Sequence, residues 1–211
     1  MVLNMTKIII KYCRVKNLLT LFVLFFSSLV FAEDISDFEI EGMSIGDSLL
    51  DHVSQNKIKK SIAPFKYKTN EYKTIILEIN NLKTYDSIEI TYKTDDPSYR
   101  IQMVTGLIFY NNEINKCKKQ KNHVLLKVED IFKSKNIQIY HQEKKHAYDL
   151  TGKSLVSKST FLFDTGDFVD IECYDWSADI EEKHPNWRDN FRVSIVDESF
   201  NQWLIEVQYK Q

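Results

Sequence analysis

The sequence predicts an α+β domain: a mainly antiparallel sheet of six or seven strands packed against one long amphipathic helix, with short helices toward the N- and C-terminal ends. Three observations lead there. Apolar residues alternate with polar ones between Ile75 and Phe109, the period of half-buried strands. From Ile114 to Ile131 the apolar period lengthens to three, four or seven residues, which is helical. From Phe161 to Ile195 short apolar segments return, separated by turn residues.

Taken in order, Phe38-Glu39-Ile40 reads as a short strand or extended lead-in, and Gly42 and Gly46 bracket a turn. Asp47 or Ser48 then caps a short helix carrying Leu49, Leu50 and Val53. Ser54 restarts a second helical turn through Ile58 and Ile62, which Pro64 ends. Ile75, Leu77 and Ile79 share one face of a strand, and Ile88, Ile90 and Tyr92 one face of the next. After the turn Asp95-Asp96-Pro97-Ser98, a third strand carries Ile101, Met103, Leu107 and Phe109. Short turns between neighbouring strands imply antiparallel pairing with one dry face.

The helix that follows places Cys117 on its apolar face in the first turn, with Val124, Val128 and Ile131. Ile137 to Tyr140 returns to strand, whereas His141 to Lys158 is polar and reads as a hairpin loop or ordered-poor excursion. Strands at Phe161–Phe163 and Phe168–Tyr174 flank the turn Asp164-Thr165-Gly166-Asp167, and Phe191, Val193 and Ile195 make a last strand. Phe200, Trp203, Leu204 and Val207 sit at helical spacing behind a Ser199 cap, although Ile205, Val207 and Tyr209 also suit an edge strand.

Residues 1–32 differ from the rest. Lys7, Lys11, Arg14 and Lys16 precede an apolar run and then Val30-Phe31-Ala32, with no Asp or Glu before Glu33. This is the pattern of a secretory signal peptide cleaved after Ala32, leaving residues 33–211 as one domain. An uncleaved anchor is the rival, but Leu18–Ala32 is 15 residues and about 20 are needed to span the hydrocarbon. The residue directly after Ala32 is Glu33, not Cys, so a lipoprotein-type anchor is not expected. The expected location is therefore periplasmic or secreted, with no membrane span left after cleavage.

Lys+Arg 28 against Asp+Glu 30 gives a formal charge of -2, and losing four basic leader residues makes the remainder more acidic, which argues against a nucleic-acid binder. Cys13 would leave with the leader, while Cys117 and Cys173 remain. Two thiols in an exported chain pair as one disulfide in an oxidising compartment; the alternative is two buried thiols acting as small apolar residues.

The candidate site is Tyr174-Asp175-Trp176-Ser177 together with His184, Trp187 and Asp189. One reading uses Asp175 or Asp189 as an acid/base beside His184, with Trp176 and Trp187 walling a pocket for a small apolar or sugar-like ligand. The other makes the tryptophans a lid over one end of the sheet, with Asp175 capping a turn. Asp175, Trp176, His184 and Trp187 are the candidate ligand-binding residues. His141 and His146 lie five apart with no Cys-x-x-Cys or His-Glu-x-x-His, which does not suggest zinc. There is no Gly-x-Ser-x-Gly elbow and no Gly-rich phosphate loop, and Cys173 is a better disulfide partner than a nucleophile. The basic run Lys116 to Lys121 suits a lipid-headgroup contact or, more simply, the solvated side of the helix. No catalytic residue, metal or cofactor is expected.

Phe38 to Leu50, Gly106-Leu107-Ile108-Phe109-Tyr110 leading to Cys117, and Cys173-Tyr174-Asp175-Trp176 resemble a group of small exported proteins of marine alphaproteobacteria over most of the chain after the leader. That resemblance implies export and carries no activity or site. The Gly-Met-Ser start is also similar to the small periplasmic helix-plus-sheet modules of outer-membrane assembly lipoproteins and β-lactamase-inhibitor-like domains, which is a fold analogy. The expected function is a non-catalytic binding or interaction module whose partner is a small ligand or an envelope protein. The alternatives are a small periplasmic hydrolase using the His184, Asp175 and Asp189 region, and a cell-envelope assembly or structural factor.

Overall fold

The computed structural model describes residues 35–77, 82–133, 136–184 and 187–210. The expected leader, its cleavage site and Ile79 lie outside the described residues. The strands are β1 (Tyr72–Leu77), β2 (Ser87–Lys93), β3 (Ile101–Phe109), β4 (Gln138–Lys145), β5 (Leu155–Leu162), β6 (Phe168–Asp175) and β7 (Asn190–Val196). The helices are α1 (Gln55–Lys60), α2 (Ile114–Phe132), α3 (Ala178–Lys183) and α4 (Glu198–Trp203). All strand pairs are antiparallel, in the order β1-β2-β3-β7-β6-β5-β4. Two three-stranded meanders are thus joined through α2, and β7 closes the gap between them.

Register explains the core. Ile75, Ile90, Val104, Ile195, Val169, Phe161 and Ile139 stand opposite one another in a row across all seven strands. The next row is Leu77, Ile88, Gly106, Val193 and Ile171. Apart from Gly106 and the exposed Ile139 at the β4 edge, these residues share one hydrophobic cluster with Cys117, Val128 and Phe132 of α2 and with Phe38, Ile40 and Leu49. Each fully buried side chain of this size contributes about 1.5–3 kcal/mol. Gly106 is required by a close approach: a Cβ there would lie 2.5 Å from the Tyr85 ring. The disulfide Cys117–Cys173 ties α2 to β6 across a separation of 56 residues.

Local caps follow side-chain chemistry. Ser48 Oγ accepts from the Leu50 amide at the start of a single 3-10 turn, and Ser54 Oγ accepts from the Lys57 amide at the start of α1. Segment 61–63 then lies along the outer edge of β1, with Ser61 O accepting from Ile76 N and Ala63 N donating to Thr74 O.

The structure departs from the sequence reading in four places. His141 to Lys158 is not a loop: β4 and β5 form a long hairpin, and only the stretch between them turns. Only the start of β4, through Tyr140, reads as strand in sequence; all eight of its residues are exposed, so no apolar alternation marks the part from His141 onward. A register shift near Thr91/Tyr92 turns Ile101 to the same side as Val104, so it does not share a face with Met103, Leu107 and Phe109. Lys121 is buried at 7% exposure, its Nζ donating to Ser157 Oγ rather than facing solvent. Asp197, not Ser199, caps the last helix: its side chain accepts from Ser199 N. The C-terminal segment is helical, α4 continuing as a π-helix over Leu204–Gln208.

Candidate functional site

The strand ends of β6 and β7 and the tip of the β4–β5 hairpin carry an aromatic cluster. His146 packs on Trp176 (ring centroids 4.4 Å) and on Tyr174 (5.3 Å). Trp176 meets Trp187 at 4.8 Å, Trp187 meets Tyr148 at 4.8 Å and His184 at 4.6 Å. The six rings form one connected surface whose outer member, Tyr148, is 54% exposed, with Leu150 beside it in sequence at 97%.

Asp149 builds the hairpin tip. Its buried carboxylate accepts from Thr151 N and Oγ1, from Ser154 N and Oγ, and from Ser177 Oγ. The hydrogen bonds from Thr151 and Ser154 hold this carboxyl well below the usual carboxylate range. Ser154 Oγ also accepts from Ser177 N at 3.0 Å, so the tip and the start of α3 are tied together. Tyr148 and Leu150 are therefore presented to solvent by a turn with its polar groups satisfied.

The four candidate ligand residues divide. Trp176, His184 and Trp187 come together in the ring cluster. Asp175 does not: it follows Tyr174 on β6 and points to the face of Cys173, where Lys118 and Glu143 supply its charged surroundings and burial raises its pKa. Asp189, not Asp175, performs the capping, its Oδ1 accepting from Trp176 N at 2.9 Å. Burial pushes Asp189 up to about 6, against the pull of the Trp176 amide. Among the described residues His184 meets Tyr148, whose hydroxyl lies 3.4 Å from Nε2, and Trp187. The imidazole–carboxylate pair that acid/base hydrolysis needs is not assembled there.

A second constellation was not anticipated. On the sheet face away from α2, one row runs Glu89, Thr105, Ser194, Asp170, Thr160, Tyr140, and the next runs Leu107, Arg192, Glu172, Lys158, Gln142. Lys158 Nζ bonds Asp170 and lies 3.7 Å from Glu172. Asp170 is 4% exposed and Glu172 7%. Burial and the neighbouring Glu172 raise Asp170 despite the ammonium, since one cation is shared by two carboxylates. The Arg192 guanidinium stacks 4.2 Å from the Tyr174 ring centroid, so this charged row runs into the aromatic cluster. The alternation Lys158/Thr160 and Asp170/Glu172/Tyr174 was the available signal, but it reads equally as a wet face.

At the other end of the strands a shallow depression of about 620 Å³ is lined by acidic residues including Asp96, Asp167 and Asp197. These carboxylates are engaged: Asp96 with Arg100, Asp167 with Glu198 N, Asp197 with Ser199 N. Among the described residues no group of three His, Cys, Asp or Glu is placed to hold a metal ion, and no helix is long and apolar enough to cross a membrane. No family model, curated protein or solved structure matches the chain.

Proposed function

We propose that the chain is an exported, non-catalytic binding module whose ligand surface is the aromatic end of the sheet. The observation that carries this reading is the connected set of six rings, open to solvent at Tyr148 and held by a turn whose own polar groups are satisfied. Half-exposed aromatic rings gain by covering a flat, weakly polar ligand face, and the C–H face of a pyranose ring is one such surface. The engagement of Asp189 by a backbone amide and of His184 by Tyr148 favours binding over hydrolysis. Export rests on the basic and apolar leader ending at Ala32 and fits the Cys117–Cys173 disulfide, which an oxidising compartment maintains.

The test is tryptophan fluorescence of the purified, disulfide-bonded chain titrated with an N-acetylglucosamine trimer and, separately, with anilinonaphthalene sulfonate. A saturable change with either probe, lost in Tyr148→Ala and Trp187→Ala, is expected. No saturable change with either probe overturns the reading. Turnover of a hydrolase substrate that disappears in Asp189→Ala would replace it with the hydrolytic one.

A further inference from the structure

The two edges of the sheet are treated differently. The β1 edge is covered by the chain's own segment 61–63, bridged at Ile62 and Ile75. The β4 edge is bare: among the described residues β4 pairs with β5 alone, and all eight of its residues are exposed. A strand of that length with unpaired amides and carbonyls is a template for another strand.

We infer that the β4 edge is a homodimer interface, in which β4 pairs antiparallel with β4 of a second copy about a two-fold axis through Gln142. The sequence of β4 is complementary to itself in that register. A two-fold axis normal to the sheet keeps both copies of α2 on one side, so residues facing each other across the axis come from the same face of the strand. Odd positions (Ile139, His141, Glu143, Lys145) then meet odd positions, and even positions (Tyr140, Gln142, Lys144) meet even ones. With the axis at Gln142, His141 of each copy faces Glu143 of the other, Tyr140 faces Lys144, and Ile139 lies against the methylenes of Lys145. Opposite charges directly across a pair stabilise it and like charges oppose it, and a Lys over a Tyr ring is attractive. Moving the axis one residue back sets His141 against itself and Ile139 against Glu143. Moving it one residue forward sets Glu143 against Glu143 and His141 against Lys145. Of the three neighbouring registers, only the Gln142 axis satisfies both charged positions.

The side chains concerned are already held in place. His141 Nδ1 is 2.9 Å from Ser159 Oγ and its Nε2 is 3.8 Å from Glu129. Glu143 is 3.5 Å from Lys118 of α2, so in the dimer it is shared between that lysine and the second copy's imidazole. The association joins two seven-stranded sheets into one continuous sheet and removes both bare edges.

Sedimentation equilibrium or light scattering of the full exported chain is expected to give twice the monomer mass. His141→Glu places two carboxylates across the axis, and Glu143→Lys replaces the acceptor facing His141 with a second donor; each is expected to return the monomer. The double variant His141→Glu/Glu143→Lys restores opposite charges and the dimer. Far-UV circular dichroism distinguishes a lost interface from a lost fold. Register is read separately: Gln142→Cys is expected to form an interchain disulfide on mild oxidation, because residues facing each other on the axis fall within disulfide reach, whereas Tyr140→Cys and Lys144→Cys are not. A monomeric wild-type chain overturns the inference and leaves the edge for a different protein, such as an envelope partner. A dimer indifferent to both single charge reversals, or cross-linked through position 140 or 144, overturns it as well.

Discussion

The two faces of the sheet keep water away by opposite means. Toward α2, rows such as Ile75–Ile90–Val104–Ile195–Val169–Phe161 are apolar across the sheet, and non-directional burial holds them. On the other face, Glu89, Asp170, Glu172, Lys158 and Arg192 share one surface, and α4 covers its end through Phe200 and Trp203 packed on Tyr72 and Val196. An apolar row tolerates the loss of one member at the expense of a cavity. A charged row does not, because each partner removed leaves another without compensation. The contrast assigns stability to the first face and specificity of arrangement to the second.

The largest effect belongs to the cross-link on the apolar face. Cys117→Ser/Cys173→Ser releases a loop closed across 56 residues, and the chain-entropy account gives a loss of about 4 kcal/mol. Urea unfolding of the disulfide-bonded chain with and without reductant measures it. Wild type under reductant should fall to the level of the double variant. A difference well below that would mean that Val128 and Phe132 of α2 suffice to hold the helix on the sheet.

On the charged face the corresponding test is Lys158→Met. Its removal leaves Asp170 and Glu172 facing each other at a site where the lysine side chain is itself only 20% exposed. A loss of about 3 kcal/mol is expected at pH 8. The loss should shrink at pH 5, because Asp170, already raised, takes up a proton once its cation is gone. An equal loss at both pH values would mean that only the packing of the lysine stem matters.

This contrast also decides what could be read in advance. The strands bearing Ile75, Ile88, Ile90, Val169, Ile171 and Val193 are legible because one face of each is apolar and the other polar, which forces a period of two. Beyond Tyr140, β4 is not legible, since neither of its faces is buried and nothing imposes a pattern on it. The opposite error occurred at Lys121, where a charged residue occupies a buried helical position by donating to Ser157; composition gives no sign of a hydrogen bond to a strand 36 residues away. At the aromatic end, Trp176, His184 and Trp187 are identifiable from residue type, whereas Tyr148 and His146 reach them only through the fold of a hairpin whose sequence has the polar character of a loop. Asp175 and Asp189 were interchangeable in sequence. Strand parity separates them, sending Asp175 to the α2 side and leaving Asp189 to hold the Trp176 amide.

The smallest effect tests whether the aromatic end behaves as the charged face does. Asp189 ionises near 6 in the folded chain and near 3.9 in an unfolded one. The folded state therefore keeps a proton that the unfolded state has already released, and ionising Asp189 opposes folding. That penalty is absent below about pH 4, develops between about pH 4 and 6, and is constant above. Asn at this position retains an oxygen to accept from Trp176 N and carries no charge. Asp189→Asn is accordingly expected to match wild type below about pH 4 and to be more stable by about 1 kcal/mol at pH 7.5, with denaturant midpoints across that range as the measurement. A variant less stable than wild type at pH 7.5 would show that the ionised carboxylate has a cationic partner in solution. Asp189 would then belong with Asp170 and Glu172 as a paired acid, and the ring cluster would be the wall of a charged site rather than a surface for a flat, weakly polar ligand.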